Sequence, residues 1–421
     1  MNSQQLRNSI ESSALDARFS EIYPSDTILA QRERYVKLID KFESLFGERE
    51  AMLLSVPGRV EVCGNHTDHQ GGQVLAAAIN LDIIAVCAAT EDTYIRLRQD
   101  GFGDNNVDIS NLAPSEIEQS TSPALVRGVA AFLSKNGAKI GGIVACVDSQ
   151  VPAGGGLSSS AAYGVMIGNM ISQLYNNGAI EPIALAKATY HAEREYYGKP
   201  VGLMDQTACA VGGLVHIDFA NSEPIVNKVT LNSEKFGHAL CIIDTGGDHT
   251  DLTPEYAAVP GEMKAVAQHF GAQLLSQVDE ATFWNGVAEL RNVVPDRAIM
   301  RAAHYYAENA RVATAVASAR TADYPTFFEV IKQSGSSSHR YLQNVAFTQG
   351  EKQNLALALS VTEKLLGNHG AFRVHGGGFE GSILAMVPQD FVTEYSAAMN
   401  RIFGENACTV LQLRKDGAVK I

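Results

Sequence analysis

The sequence predicts an α+β protein of two lobes, and two observations support this fold class. Most of the stretch from 255 to 366 has the apolar spacing of helices. Other segments are rich in Val and Ile and alternate as strands do. These lie at 51–63, 83–90, 93–98, 140–148, 214–219 and 239–244. Strands and helices mixed without regular alternation are typical of α+β proteins. We expect an N-terminal domain over 1–215 and a C-terminal domain over 216–421.

Several elements can be placed in chain order. Residues 1–50 are polar with rough helical spacing. The apolar run from Val74 to Ala89 is interrupted by Asn80 and Asp82 and is too short to cross a bilayer comfortably. We interpret it as a buried strand pair or a buried helix. A later helix covers about 183–197 and ends at a Gly-Lys-Pro stop signal.

Composition narrows the class of protein. The chain has 421 residues, 46% of them hydrophobic, which is enough for packed cores in two to three domains. A net charge of −13 argues against a nucleic-acid binder or a protein of anionic membranes. Six scattered cysteines without a Cys-x-x-Cys motif favour reduced thiols, and the first residues lack the apolar core of a signal peptide. We expect a cytoplasmic monomer or weak dimer whose partners are small molecules.

A glycine-rich turn, Pro152 to Ala162, runs directly into a predicted helix and is the most informative stretch for function. Its glycines let backbone N–H groups approach an anion, and the helix start adds unpaired donors and a positive dipole end. Its serine hydroxyls suit phosphate or a phosphate-bound Mg²⁺. A flexible turn with a helix cap is the alternative. The phosphate-binding candidates are Gly154, Gly155, Gly156, Leu157, Ser158, Ser159 and Ser160.

A second motif, Pro57 to Gly72, begins as a strand and ends in a polar loop. A loop crowded with Arg, Asn, His and Asp at a strand end supplies the fixed donors and acceptors that sugar hydroxyls need. A zinc site of His66, Asp68 and His69 is a less favoured alternative, because three such close side chains in an extended loop rarely converge on one ion. A surface turn without a role is the other alternative.

A third motif, His375 to Ser382, is another glycine-rich turn, while Walker, dinucleotide-binding and nucleophile-elbow motifs are absent from the sequence. Together with Gly202 to Gln206, the three motifs resemble those of the GHMP kinase superfamily. The first is similar to the galactokinase signature through its Gly-Arg and Gly-x-His-Thr-Asp groups, and 202–206 matches the family's Gly-x-Met-Asp-Gln. The resemblance implies a two-lobed GHMP kinase fold with its active site in the cleft between the lobes.

The resemblance also implies an activity, the ATP- and Mg²⁺-dependent phosphorylation of the anomeric C1 hydroxyl of a galactose-type sugar. Asp205 would be the catalytic base, and Arg59 would hold charge on the transferred phosphoryl group. Glu193 and Ser160 would hold Mg²⁺. The implied sugar contacts are Asn65, His66, Asp68, Gly202, Asp205 and Tyr256. The alternatives are a helix cap for Asp205, a solvated charge for Glu193 and a core position for Tyr256.

The sequence departs from the family pattern in three places. Most galactokinases have Glu at the position of Asn65, where the side chain faces the C6 hydroxyl, and an amide would tolerate a carboxylate at C6. Because 68–72 also resembles plant galacturonate kinases, galacturonic acid is the alternative substrate. Glu380 stands where many relatives have a small residue, and Ala257 and Ala258 replace an arginine pair. A non-catalytic sugar and ATP sensor is less favoured, because the serine turn and Asp205 are intact.

Overall fold

A computed structural model describes residues 1–99, 104–152, 156–199, 201–221, 223–246, 253–346, 352–379 and 381–421. Within these ranges the strands form two sheets, with helices packed against them. None of the helices in these ranges combines the length and the apolar character needed to cross a membrane. The mixture of sheets and helices confirms the α+β class predicted from the sequence.

The larger sheet contains, among the described residues, eight strands numbered in chain order: β1 (Met52–Cys63), β2 (Gln73–Thr90), β3 (Tyr94–Gln99), β4 (Asn105–Asp108), β5 (Gly142–Ser149), β6 (Leu214–Asp218), β7 (Ile225–Val229) and β12 (Val419–Lys420). Its main path runs β12-β1-β2-β5-β3-β4, and β6 pairs with both β2 and β7. The β3–β5 pair is parallel and the other pairs are antiparallel. Residues from both ends of the sequence therefore share this sheet.

The smaller sheet is antiparallel throughout and is ordered β11-β8-β10-β9. Its strands are β8 (His238–Asp244), β9 (Ala371–Val374), β10 (Ser382–Pro388) and β11 (Cys408–Leu411). A separate apolar cluster joins this sheet to helices near the C-terminus. The turn between β9 and β10 contains the third glycine-rich motif.

The described helices cover most of the segments in which the sequence shows helical spacing. They are α1 (Ser3–Glu11), α2 (Asp16–Ile22), α3 (Ile28–Phe46), α4 (Ser122–Lys135), α5 (Ser159–Tyr175), α6 (Pro182–His191), α7 (Met204–Val211), α8 (Ser233–Phe236), α9 (Thr253–His269), α10 (Glu280–Asn285), α11 (Val287–Leu290), α12 (Asp296–Thr321), α13 (Tyr324–Ser337), α14 (Asn354–Leu366) and α15 (Val392–Phe403). The helix expected over 183–197 is α6 followed by a π-helical turn, Ala192–Tyr197. Such turns are rare and frequently occur at functional sites.

The apolar run from Val74 to Ala89 is one long strand, β2, rather than a strand pair or a helix. Successive side chains on a strand point to opposite faces, and both faces of β2 are covered. Its even-numbered residues 84, 86 and 88 join the core formed with α3, whereas residues 83, 85 and 87 join the core that includes α5. Burial on both sides removes the polar alternation that would have revealed a strand.

Asp82 lies fully buried within β2 and is satisfied by ionic and hydrogen-bonded partners. Arg34 of α3 lies 2.6 Å from Oδ1, Arg414 lies 3.1 Å from Oδ2, and the Tyr23 hydroxyl donates a 2.6 Å hydrogen bond to Oδ2. A buried carboxylate needs such pairing to remain charged. Asp82 therefore ties the N-terminal helices and the C-terminal segment to the middle of the larger sheet.

Candidate active site

A cleft of about 520 Å³ lies where β1 and the first turns of α5 and α7 meet α9 and the turn between β9 and β10. Most of the sequence-predicted site residues that the structure describes line it. They are Arg59, Asp68, Gly156, Ser158, Ser159, Ser160, Gly202, Asp205 and Tyr256. Gly154, Gly155 and Glu380 lie outside the described residues.

An irregularity in β1 brings Arg59 into the cleft. The pairing of β1 with β2 shifts register between Pro57 and Arg59. At Gly58 the strand approaches the glycine-rich turn so closely that a Cβ atom would lie 2.9 Å from the Leu157 carbonyl oxygen. The backbone N–H of Arg59 donates a 3.2 Å hydrogen bond to the same oxygen. Leu157 is thus a core residue whose backbone joins the turn to the strand, because its side chain is buried.

Arg59 and Asp205 form a two-pronged ion pair at the cleft. Arg59 Nε lies 2.7 Å from Oδ1 of Asp205, and the Nη2 atom lies 2.7 Å from Oδ2. Asp205 stands in the first turn of α7 and also accepts a hydrogen bond from the Ser158 hydroxyl. Burial alone would raise the pKa of Asp205, but Arg59 outweighs it and, with the Ser158 bond, holds the pKa below its ordinary value. Asp205 is therefore an ionised acceptor at neutral pH.

The start of α5 forms one wall of the cleft, and its exposed donors suit an anion. Ser158 adopts a left-handed conformation with φ 62° and ψ 52°, and Gly156 has φ +73°. Within the described part of the chain, no side chain caps the first turn of α5. Its backbone N–H groups and the Ser159 and Ser160 hydroxyls at the cleft wall therefore suit a phosphate group.

Ser160 and Glu193 form an oxygen pair beside this wall. The Ser160 hydroxyl donates a 2.7 Å hydrogen bond to Oε1 of Glu193, and the Gln206 amide donates to Oε2. Glu193 is buried in the π-helical turn, and this burial raises the pKa of its carboxyl group against the opposing charge of Lys199. A hydroxyl and a carboxylate together provide the hard oxygen donors that Mg²⁺ prefers when phosphates and water complete its shell. The donor set therefore fits the ion.

Asp68 and Gly202 meet closely on the opposite side of the cleft. A Cβ atom at Gly202 would lie 1.7 Å from Oδ2 of Asp68, so only glycine allows this approach. Burial raises the pKa of Asp68 to about 7, and the charges of Asp205 and Glu61 add to the effect. Tyr256 donates a 2.7 Å hydrogen bond to the Gly378 carbonyl oxygen and lines the same space.

Asn65 and His66 were expected to contact a sugar, but the structure does not bring them to the cleft wall. Asn65 is fully buried, and its Nδ2 donates to Oε1 of Glu61 at 3.0 Å and to the Gly376 carbonyl at 2.6 Å. Its Oδ1 accepts from Ser338 and Asn344, which fills the hydrogen-bonding capacity of the amide. His66 Nε2 lies 2.9 Å from the Gly377 carbonyl oxygen. Both residues instead brace the loop against the third motif.

Helix α12 contacts the same loop through residues that the sequence analysis did not identify. Glu308 Oε1 accepts the backbone N–H of Gly64 at 3.0 Å, and Arg311 lies 2.6 Å from Oε2. His304 Nε2 lies 2.9 Å from the Asn65 carbonyl oxygen. Burial would raise the pKa of Glu308, but neighbouring cationic groups outweigh it and lower the pKa to about 2. The contacts of Glu308 and His304 with the loop link residues more than 200 positions apart, so no local signal could have identified them.

The third motif contributes a histidine that had no assigned role. His375 lines the cleft, and its Nε2 accepts a 3.1 Å hydrogen bond from the backbone N–H of Glu61. Its Nδ1 lies 3.2 Å from Oγ of Ser382. Burial, together with the charges of Arg59 and Arg373, holds the pKa of His375 well below its ordinary value. The ring is therefore neutral and fastens β1 to the turn after β9.

The zinc alternative at the polar loop finds no support among the described residues. The rings of His66 and His69 are 5.6 Å apart and meet edge to face. Across the described part of the chain, no group of three or more His, Cys, Asp or Glu side chains is arranged to hold a metal ion.

Two family models match the segments that form this cleft. The galactokinase galactose-binding signature matches residues 40–89, and the GHMP kinase N-terminal domain matches residues 124–213. The first segment includes Arg59 and Asp68, and the second includes Ser158 and Asp205. The matches therefore cover both sides of the Arg59–Asp205 pair.

Three solved structures illustrate the similarity in fold. The galactokinase of Lactococcus lactis, solved with galactose, superposes with a TM-score of 0.78 at 22% identity, covering 91% of this chain and 98% of that one. The mevalonate kinase of Methanococcus jannaschii gives 0.59 at 14% identity, covering 86% and 98%. The phosphomevalonate kinase of Streptococcus pneumoniae gives 0.60 at 10% identity, covering 89% and 100%.

The chain is similar to GHMP kinases in its matched N-terminal domain and in its fold. Mevalonate kinases share that fold, so the fold alone leaves the substrate class open. The galactose-binding signature is the more specific finding. With it, the matched segments and the fold fit the galactokinase branch of the GHMP kinases, and the chain is similar to galactokinase-like sugar kinases.

Proposed function

We propose that this protein transfers the γ-phosphoryl group of ATP to the C1 hydroxyl of galactose. The observation that supports this most directly is the Arg59–Asp205 pair, which lies between the start of α5 and the loop with the galactose-binding signature. The pair consists of an ionised carboxylate and a cation, and both line the cleft beside the proposed phosphate-binding wall.

The proposed reaction uses this pair in a simple way. Asp205 accepts the proton of the C1 hydroxyl as the sugar oxygen bonds to the γ-phosphorus. The bond from that phosphorus to the bridging oxygen breaks, and ADP leaves with the bonding electrons. Arg59 stabilises the negative charge on the transferring group. The result is a sugar 1-phosphate, with the proton held on Oδ1 or Oδ2 of Asp205.

Other residues of the cleft would bind the phosphates, the metal ion and the sugar. The first turn of α5 would orient the phosphates through backbone N–H groups and serine hydroxyls. Ser160 and Glu193 would hold Mg²⁺, which when bound neutralises phosphate charge. Asp68 would accept hydrogen bonds from sugar hydroxyls. Its carboxylate occupies the space that a side chain at position 202 would otherwise fill.

Galactose is preferred here over galacturonate for a structural reason. The case for a C6 carboxylate depended on an amide at Asn65 that faces the sugar. That amide is buried and already has four protein partners. The exchange of glutamate for asparagine is therefore accommodated inside the protein, and it gives no reason to expect a charged sugar.

A coupled assay of ADP release tests the proposal with galactose, galacturonate, glucose and mevalonate as acceptors. We expect the highest kcat/KM with galactose and, by phosphorus NMR, a product phosphorylated at C1. Sugar-independent or absent ADP release would contradict the proposal. Binding of galactose and ATP without turnover would indicate a sensor, and higher kcat/KM with galacturonate would assign the alternative substrate.

A variant of the proposed base tests the mechanism. Asp205→Asn should lower kcat by about 10²- to 10⁴-fold, because a neutral amide cannot accept the proton. Binding of a non-hydrolysable ATP analogue should change little. Asp26→Asn, an exposed position in the turn before α3, is the matched control. If Asp205→Asn turns over at the wild-type rate, Asp205 is not the base.

A further inference from the structure

The cleft contains a second cation, Lys199, to which neither the glycine-rich motifs nor the polar loop assigned a role. The backbone N–H of Lys199 donates a 2.8 Å hydrogen bond to the Glu193 carbonyl oxygen, just after Gly198 ends the π-helical turn in a left-handed conformation. The side chain lines the cleft, and its Nζ lies 3.4 Å from Oγ of Ser160. The turn that buries Glu193 thus also aims a lysine at the phosphate-binding wall.

The charges around the cleft show why this lysine matters. Arg59 is held by both carboxylate oxygens of Asp205. Lys199, by contrast, forms no ion pair within 4.0 Å of a carboxylate in the described ranges. Its positive charge nevertheless affects two carboxyl groups of the site. It opposes the rise in the pKa of Glu193 and helps to lower the pKa of Asp205. In a chain of net charge −13, a cation beside this wall supplies the local positive charge that an anionic ligand needs.

From this geometry we infer that Lys199 is a catalytic residue that contacts the terminal phosphate of ATP. The inference rests on the proposed function for the reaction, but it concerns the nucleotide and not the sugar. A lysine ammonium is a compact charge on a flexible stem, so it can follow the phosphoryl group from donor to acceptor. Ser160 orients it from one side, while its backbone is fixed to Glu193 on the other. Lys199 would therefore complement Arg59, which remains paired with the base.

The first test measures nucleotide binding by calorimetry, without sugar and without turnover. Wild-type protein should bind a non-hydrolysable ATP analogue more tightly than ADP, and Lys199→Met should lose most of that preference. Lys199→Arg should keep it, because the charge remains. Lys187→Met, which removes a surface lysine paired with Glu223, is the matched control and should behave as wild type.

The second test measures steady-state kinetics with the sugar that the panel identifies. Lys199→Met should lower kcat by about 100-fold with little change in the KM for sugar, as expected for a charge that acts on the transferring group. A Lys199→Met protein that keeps both the ATP preference and kcat would overturn the inference. If Lys199→Met loses the ATP preference but no sugar supports turnover even in wild type, the proposed function fails and the assignment of Lys199 stands.

Discussion

Replacing Asn65 by aspartate should destabilise the protein severely, although the two side chains have almost the same shape. Asn65 Nδ2 donates to Oε1 of Glu61 at 3.0 Å and to the Gly376 carbonyl at 2.6 Å, in a fully buried position. An aspartate would replace this donor by an acceptor and place a second carboxylate against Glu61. Both hydrogen bonds would be lost and two like charges would meet.

The magnitude follows from the distance. Two unit charges 3.0 Å apart repel by about 5 kcal/mol at an effective dielectric constant of about 20. Protonation of the new carboxyl group relieves part of this repulsion, so we expect the free energy of unfolding to fall by about 3–5 kcal/mol at pH 8. Burial and Glu61 would raise the folded-state pKa of the new group above its unfolded value. Its protonated form therefore stabilises the fold at low pH, and this contribution disappears as pH rises through the folded pKa.

Chemical denaturation of Asn65→Asp and wild type at pH 5 and pH 8 measures the effect. The difference between the two proteins should be smaller at pH 5, where the protonated aspartate side chain of the variant can still donate one of the two hydrogen bonds, than at pH 8. Asn8→Asp, at an exposed position of α1, is the control and should change stability little at either pH. If Asn65→Asp is as stable as wild type at pH 8, the Asn65 amide does not donate to Glu61, and the explanation for the missing glutamate is wrong.

Three further predictions concern the cleft itself. Between pH 6 and 8, kcat/KM for the sugar should rise as Asp68 ionises with a pKa of about 7; the same rise in Asp68→Asn would show that another group is titrating. Gly202→Ala should raise the KM for sugar by at least about tenfold, because the new Cβ atom would collide with Asp68. Gly261→Ala is the control and should leave binding unchanged, because Gly261 has open space around it. Glu193→Gln should raise the Mg²⁺ concentration that gives the half-maximal rate by about tenfold or more. An unchanged Mg²⁺ requirement would show that Glu193 does not bind the ion.

The sequence allowed most of the cleft to be predicted because its residues belong to short motifs. Arg59, Ser158 and Asp205 each stand in a stretch whose local pattern indicates a strand end, a helix start or a turn. The structure brings the three together through direct contacts, Arg59 to Asp205 and Ser158 to Asp205. That they share one site was predicted from the resemblance of these motifs, in this order, to those of the GHMP kinases.

The supports of the site could not be predicted in the same way. Glu308 and His304 contact the polar loop through a helix more than 200 residues away, and nothing in their local pattern differs from an ordinary helix face. Asn65 shows a second difficulty. The residue belongs to a recognisable motif, but the motif does not tell whether its side chain faces a ligand or the interior. That depends on Gly376 and Asn344, which are distant in sequence.

The buried contacts of Asp82 have a consequence for the order of folding. Arg414 completes the charge balance of Asp82 in β2, and Lys420 pairs with Leu54 in β1. Until the segment 414–420 has docked, the larger sheet therefore lacks one edge strand and one of the two arginines that pair with Asp82. Contacts between residues so far apart in sequence slow folding and leave a strand edge unprotected in the meantime. Docking of the segment 414–420 should therefore be a late step in the folding of the larger sheet.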